Sequence, residues 1–291
     1  MTREPYFFFT VDVEEWFTST KLVNIQDDQQ YKRSSKIEEA ISWILKLLEE
    51  TKISGTFFFI QDIAERYPSL VRRILSEGHE IALHGETHEH LAQIQNEEFA
   101  AMLKRTREFF QNNFNISLKG YRAPYFSIHK DALALLKTSG FVYDSSVVPS
   151  IHIPGWYGVP KAPRVPYFIG QTLEAIDPVN KFLEFPLSVH PLLKIPGLGG
   201  YYFRNLGLQY TQHLLRSCLR RLGYAIFYLH PWELSEVPKI PGMPFYMRRH
   251  TGQWTRTALR FLLQSLRADY AFRSSTLQEF YNTFSHTKNE L

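Results

Sequence analysis

Residues 6–11, YFFFTV, form a short apolar run that ends against Asp12, Glu14 and Glu15. A run without polar alternation suits a strand covered on both faces, as in parallel sheets flanked by helices. Residues 55–60, GTFFFI, repeat the pattern. Between them, Ser35 and Glu38 have capping-box spacing ahead of Ile37, Ile41, Ile44, Leu45 and Leu48, which follow the helical period. The alternation continues. Residues 70–77 read as a helix stopped at Gly78, 80–84 as a strand, 97–110 as a helix and 120–122 as the start of a short strand. Residues 131–139 form a helix closing on Gly140, and 141–143 a strand ending at Asp144. Strands at 182–187 and 225–229 flank a helix at 206–222, and a core helix at 257–266 precedes a strand-like piece and a terminal helix near Thr276. Seven strand-then-helix units predict a deformed (β/α)7 barrel with its chemistry at the carboxyl ends of the strands. A chain of 291 residues fits one such catalytic barrel, with a C-terminal extension from about residue 235.

Composition narrows the function classes. A hydrophobic share of 44% and a charged share of 21% are those of a soluble globular protein. Phe and Tyr number 23 and 16; most read as core, and the remainder suit stacking on sugar rings. A net charge of +4 without a Lys/Arg run argues against a nucleic-acid partner. The single Cys218 excludes an intrachain disulfide, and its helical surroundings, QHLLRSCLRRLG, read as packing. The N-terminal apolar run is too short for an export signal or a membrane span, so the expectation is a cytoplasmic protein without a transmembrane segment, with peripheral membrane association left open. Residues 150–170, rich in Pro, Gly and aromatics, read as a loop that shapes a site.

The chemistry concentrates in residues 81–90, IALHGETHEH, where His84 and His88 stand four apart after a buried strand. Two imidazoles on one side of a turn can hold one metal ion, given a third ligand. Strand alternation directs Asp12 and Glu14 to one side and makes Glu14 the natural third ligand; Glu15 takes its place if the strand bulges. An acid such as Asp12, closing an apolar strand, needs a partner or a task. The other expected strand ends carry Arg122 with Tyr125, then Asp144, then His230.

In this order TVDVEEW, HGETH, RAPY, YDSS and LHPWE resemble the ordered motifs of the polysaccharide deacetylase (NodB-homology) superfamily of metal-dependent carbohydrate esterases. EFPLS, GGYYFR and HPWEL also resemble the subgroup found with exosortase-associated exopolysaccharide clusters. The resemblance implies a general base at Asp12, a general acid at His230, and Glu14, His84 and His88 holding one divalent metal, zinc first, with Co²⁺, Ni²⁺ or Fe²⁺ admitted by the same donors. It further implies that Arg122 orients the base through a bidentate guanidinium, that the turn at Pro124 and Tyr125 offers a backbone N–H to the oxyanion, and that Asp144 orients His230. The chain departs from the family pattern at Val13, where a second Asp is usual, and in lacking a Trp after YDSS; Trp156 or Trp232 is left to supply the apolar wall. For the expected substrate, an N-acetylated saccharide, Gly199 and Gly200 allow close approach while Tyr201, Tyr202 and Arg204 offer ring faces and a donor fork. The plainer reading of that segment is a turn entering the core. Two other functions compete: an allantoinase-like amidohydrolase acting on a small cyclic amide, and a carbohydrate-binding protein without catalysis.

Overall fold

The computed structural model describes residues 4–18, 35–153 and 156–287. Its strands are β1 (Tyr6–Val13), β2 (Gly55–Phe59), β3 (Glu80–Leu83), β4 (Gly120–Tyr121), β5 (Tyr143–Asp144), β6 (Tyr167–Phe168), β7 (Leu183–Glu184), β8 (Tyr224–Leu229) and β9 (Arg273–Ser274). The helices are α1 (Ile37–Thr51), α2 (Gln61–Arg66), α3 (Pro68–Ser76), α4 (Asn96–Phe114), α5 (Lys130–Thr138), α6 (Gly200–Leu206), α7 (Leu208–Leu222), α8 (Phe245–Arg248), α9 (Gln253–Asp269) and α10 (Leu277–Thr287). Seven parallel strands lie side by side in the order β7-β5-β4-β3-β2-β1-β8. This is chain order wrapped round on itself, the arrangement expected of the deformed (β/α)7 barrel. β6 adds antiparallel to β7, and β9 pairs with Tyr6 and Phe7 of β1, below the level at which β2 begins.

The deformation lies in the seam between β7 and β8, which no ladder joins among the described residues. Pro186, just past β7, has no N–H to offer a neighbour. Side chains replace the ladder: the Tyr224 hydroxyl donates to the Pro186 carbonyl at 2.8 Å, and the N–H of Ile226 donates to Ser188 Oγ at 2.8 Å. Farther along, the N–H of Tyr228 reaches the Leu198 carbonyl at 3.2 Å.

Burial on both faces explains the unbroken apolar strands. Phe7, Phe9, Val11 and Val13 join Phe57, Phe59 and Leu83 in the layer beneath the helices, while Phe8 joins Phe58, Ala82, Ile226 and Tyr228 in the barrel interior. Alternation therefore turns Phe8, Thr10 and Asp12 inward. The observed β1 runs two residues beyond the expected 6–11, so Asp12 belongs to the strand itself. The capping box also differs: α1 begins after Lys36 without a side-chain cap, and the Ser35 hydroxyl donates to Glu15 Oε1. A buried carboxylate needs a donor more than a solvated helix end does. The expected helix at 206–222 is interrupted at Gly207, and GGYYFR opens α6 rather than a turn. Among the described residues no helix is long and apolar enough to cross a membrane.

The amino end of the barrel is plugged by Glu80. Its carboxylate accepts from Tyr143 Oη at 2.6 Å, from Thr56 Oγ1 at 2.8 Å and from the N–H of Gln278 in α10 at 3.0 Å. Burial outweighs these bonds and pushes the carboxyl from its ordinary 4.5 up to about 7. A raised carboxyl pKa contributes stability that is full below the unfolded value and is lost as pH rises through the folded one. The melting temperature should therefore fall between pH 5 and pH 8, and Glu80→Gln, which keeps an acceptor and a donor in place, should flatten that fall. An equally steep fall in the variant would remove Glu80 as its source.

Candidate functional site

At the carboxyl ends of the strands, one ligand atom from each of Glu14, His84 and His88 lies within 4.8 Å of the others. His84 follows β3 directly and is tethered by its N–H to the Phe59 carbonyl at 2.7 Å. Its Nδ1 is 2.8 Å from the Arg122 carbonyl, which can only accept, so Nδ1 carries the proton and Nε2 is left with a free lone pair. Burial pushes His84 down to about 4, which keeps the ring neutral at pH 7, the form that ligates a metal. The chain then doubles back at Gly85 (φ +107°), where a Cβ would lie 2.7 Å from the Thr87 carbonyl oxygen. Glycine is required there, and the turn brings His88 Nε2 to 2.5 Å from Glu14 Oε2.

Glu14 reaches this position through a tight turn, its N–H on the Asp12 carbonyl at 2.9 Å, and not as a continuation of the strand. Burial pushes its carboxyl up, but His88, His230 and His84 outweigh that and hold it at about 2. Glu15 turns away toward Ser35 and Arg66, and burial pushes it up. The donor set of one ionised carboxylate and two imidazoles fits a zinc-like divalent ion.

Beside this cluster Asp12 is 1% exposed and Arg122 fully buried. Arg122 Nη1 donates to Asp12 Oδ1 at 2.6 Å and to Thr10 Oγ1 at 2.9 Å, while Nε and Nη2 hold the Ser145 carbonyl and hydroxyl at 2.9 and 2.8 Å. The expected bidentate grip on Asp12 is thus replaced by a single contact, because the rest of the fork clamps the chain after β5. Tyr125 and Phe126 both sit at φ +56°, a left-handed geometry that stores strain in non-glycine residues. The Tyr125 ring packs 4.5 Å from that of His88.

Asp144 does not orient His230. Its carboxylate accepts from the hydroxyl and N–H of Ser146, at 2.7 and 3.1 Å, and Ser146 Oγ in turn accepts from the N–H of Ala123 at 2.8 Å. Asp144 therefore braces the Tyr125 turn from beneath. Burial raises it to about 6 beside Glu184, which burial and the neighbouring Asp144 push well above the usual carboxylate range. The carboxylate facing His230 is Glu233, whose Oε2 accepts the His230 N–H at 3.0 Å and stands 3.4 Å from Nδ1. Sequence reasoning missed Glu233, although its i+3 spacing from His230 inside LHPWE was the available signal. Burial pushes His230 down, but Glu14 and Glu233 prevail and raise it to about 9. Its Nε2 is 3.5 Å from Glu14 Oε1. Trp232 forms the apolar wall, stacked on His230 at 5.4 Å with its Nε1 3.4 Å from Glu14 Oε1.

Arg204 lines the cavity but commits Nε and Nη1 to the protein. It is buried, with Nε on Glu233 Oε1 at 2.8 Å and Nη1 on the carbonyls of Met247 and Arg249 at 3.0 and 2.7 Å. Above the polar floor opens a cavity of about 500 Å³ walled by Ile153, Trp156, Tyr157, Tyr201, Tyr202 and Tyr246. Its size falls among small-molecule sites. Trp156 and Tyr201 are 40% and 39% exposed, Tyr201 in edge contact with Tyr202 and Tyr246, whereas the Tyr202 hydroxyl is paired with that of Tyr157 at 2.5 Å.

Residues 18–143 match the polysaccharide deacetylase family, and residues 145–279 match a domain of unknown function, DUF3473. The peptidoglycan-N-acetylglucosamine deacetylase of Bacillus cereus is 30% identical over 116 residues, covering 40% of this chain and 41% of that one, well under two thirds of the relative's length. Among solved structures, a Mycobacterium smegmatis protein assigned to the polysaccharide deacetylases gives a TM-score of 0.67 at 20% identity, covering 99% of this chain and 93% of that one. The Puue allantoinase gives 0.70 at 13% identity with the same coverages. At these identities the structural likeness is one of fold.

His84→Ala and His88→Ala should each abolish stoichiometric metal binding, measured by elemental analysis of protein with an unchanged far-UV spectrum. Glu14→Gln should do the same and Glu15→Gln should not. Greater metal loss from the Glu15 variant would reverse the assignment of the carboxylate.

Proposed function

The chain belongs to the polysaccharide deacetylase superfamily, and from that footing we propose that it hydrolyses N-acetyl groups on a saccharide. The observation carrying this reading is the convergence of Asp12, the Glu14–His84–His88 cluster and His230 on the floor of one aromatic-walled cavity. Bound at the cluster, a divalent ion supplies Lewis acidity to the acetyl carbonyl and to the attacking water. We favour Zn²⁺, and the same donors admit Co²⁺, Ni²⁺ or Fe²⁺. Asp12 takes a proton from water as the water oxygen adds to the acetyl carbon, while Arg122 holds the carboxylate in place. His230 gives the Nε2 proton to nitrogen as the C–N bond breaks. An amine leaves poorly as an anion, so this proton is what distinguishes amide hydrolysis from the easier hydrolysis of an activated ester. The turn at Tyr125, which lines the floor beside His88, is assigned to the oxyanion.

The partly exposed rings of Trp156 and Tyr201 at the cavity wall support a pyranose as the bound group, because a sugar ring offers an apolar face to stack and a hydroxyl rim to hydrogen-bond. A cavity of about 500 Å³ with an aromatic mouth is larger than a small cyclic amide needs. Acetate release from a panel of N-acetylated oligosaccharides by metal-loaded protein tests the reading. Hydrolysis of allantoin with no release from any saccharide would replace it by the amidohydrolase alternative.

Two variants probe the roles. Asp12→Asn should keep its metal and lose activity by about 10²-fold or more, the scale of a general base; near-normal turnover would make Asp12 structural. Tyr201→Ala should raise KM more than it lowers kcat, since stacking binds ground and transition states alike. A loss confined to kcat would place Tyr201 outside saccharide binding.

A further inference from the structure

We propose that Glu233 is the positioning residue for His230, and that the DUF3473 region thereby completes the catalytic site instead of forming a separate module. The assignment rests on the deacetylase reading above. His230 leaves β8 where that strand is locked in register to β1, with Thr10 opposite Tyr228 and Val11 opposite Leu229. The 3₁₀ turn Pro231–Leu234 then carries Glu233 back beneath the imidazole. Oε2 accepts the backbone N–H of His230 at 3.0 Å and stands 3.4 Å from Nδ1, an ion-pair separation that leaves Nδ1 without a hydrogen bond of its own. A fixed carboxylate on that side of the imidazole biases the ring to turn Nδ1 toward it and Nε2 toward the reacting atoms.

Glu233 is itself immobilised. It is fully buried, and its second oxygen, Oε1, is bound by Arg204, which is anchored in turn on the carbonyls of Met247 and Arg249 at the end of α8. At the start of α6, a Cβ on Gly200 would lie 1.7 Å from Oε2, so the carboxylate occupies the space that any side chain there would take. The start of α6 and the turn after β8 thus meet at this carboxylate, with the end of α8 behind Arg204, and all lie within residues 145–279. A buried Arg–Glu pair seldom improves stability over apolar packing. The alternative is that Glu233 is structural, anchoring the end of α8 through Arg204 with Oε1 and capping the 3₁₀ turn at the His230 backbone N–H with Oε2; the approach of Oε2 to Nδ1 is what the positioning role adds.

In the step served, the C–N bond of the tetrahedral adduct breaks, its electron pair stays on nitrogen, and nitrogen takes the Nε2 proton. Acetate and amine leave, and His230 is reprotonated from solvent. An aryl acetate provides the contrast, because its phenolate departs without a proton.

The experiment measures kcat on an N-acetylated oligosaccharide and on an aryl acetate for the wild type, Glu233→Gln, His230→Ala and the double variant. Glu233→Gln should lower the amide rate by about 10²-fold and the ester rate only a few-fold, with metal content unchanged. Against His230→Ala it should cause no further loss, since residues acting as one unit are not additive. Gly200→Ala, whose methyl must displace Oε2, should show the same amide-selective loss, and with Glu233→Asp it carries the comparison if Glu233→Gln does not fold. Equal losses on both substrates, or losses additive with His230→Ala, overturn the proposal and leave Glu233 as an anchor. A wild type inert toward both substrates overturns the deacetylase reading itself, and this assignment with it.

Discussion

The buried contact between Arg122 and Asp12 is the interaction on which the site depends. One guanidinium holds Thr10 and Asp12 of β1 and Ser145 after β5, and lies 4.1 Å over the Phe58 ring of β2. Its backbone carbonyl fixes the proton on His84. Burying such a charge is costly, and removing either partner would leave the other uncompensated in the barrel interior. The apolar walls that make the pair expensive also give it force, because a carboxylate held by a guanidinium in a dry site cannot drift from its task.

From that contact the charges are laid out in sequence across the floor. Glu14 stands among three imidazoles, and His230 stands between Glu14 and Glu233, with Arg204 behind. Each buried carboxylate of this row is matched to a cation or an imidazole. Asp144 and Glu184 are instead pushed up by burial and serve the scaffold, Asp144 bracing Ala123 through Ser146 and Glu184 holding the Val147 N–H. Two carboxylates that both close strand-like segments are thereby sorted into different work by what surrounds them.

The open seam follows from the same economy. Pro186 and the side-chain bonds of Tyr224 and Ser188 spare the barrel a seventh ladder, and the stretch leading to Gly199 runs beside Tyr228 instead. That detour brings α6, with Tyr201 and Tyr202, to the cavity mouth while its first residue meets Glu233. Residues beyond 235 are equally involved: β9 extends the sheet, α10 closes the barrel floor through Glu80, and the end of α8 fixes Arg204.

Much was legible in the chain alone. Unbroken apolar runs such as FFFTV and GTFFFI require burial on both faces, and polar residues placed after such runs must gather at one end of a parallel barrel. Asp12, His84, His88, Arg122 and His230 were therefore readable as one site. What tertiary structure alone decided is which polar groups meet. Glu14 faces the histidines because of a turn at Asp12, Arg204 gives Nη1 to carbonyls some 40 positions later in the chain, and His230 takes Glu233 rather than Asp144. Strand alternation and motif order give the side of a sheet on which a residue falls. They carry no information about distances between segments far apart in sequence, and hydrogen bonding and burial act through those distances.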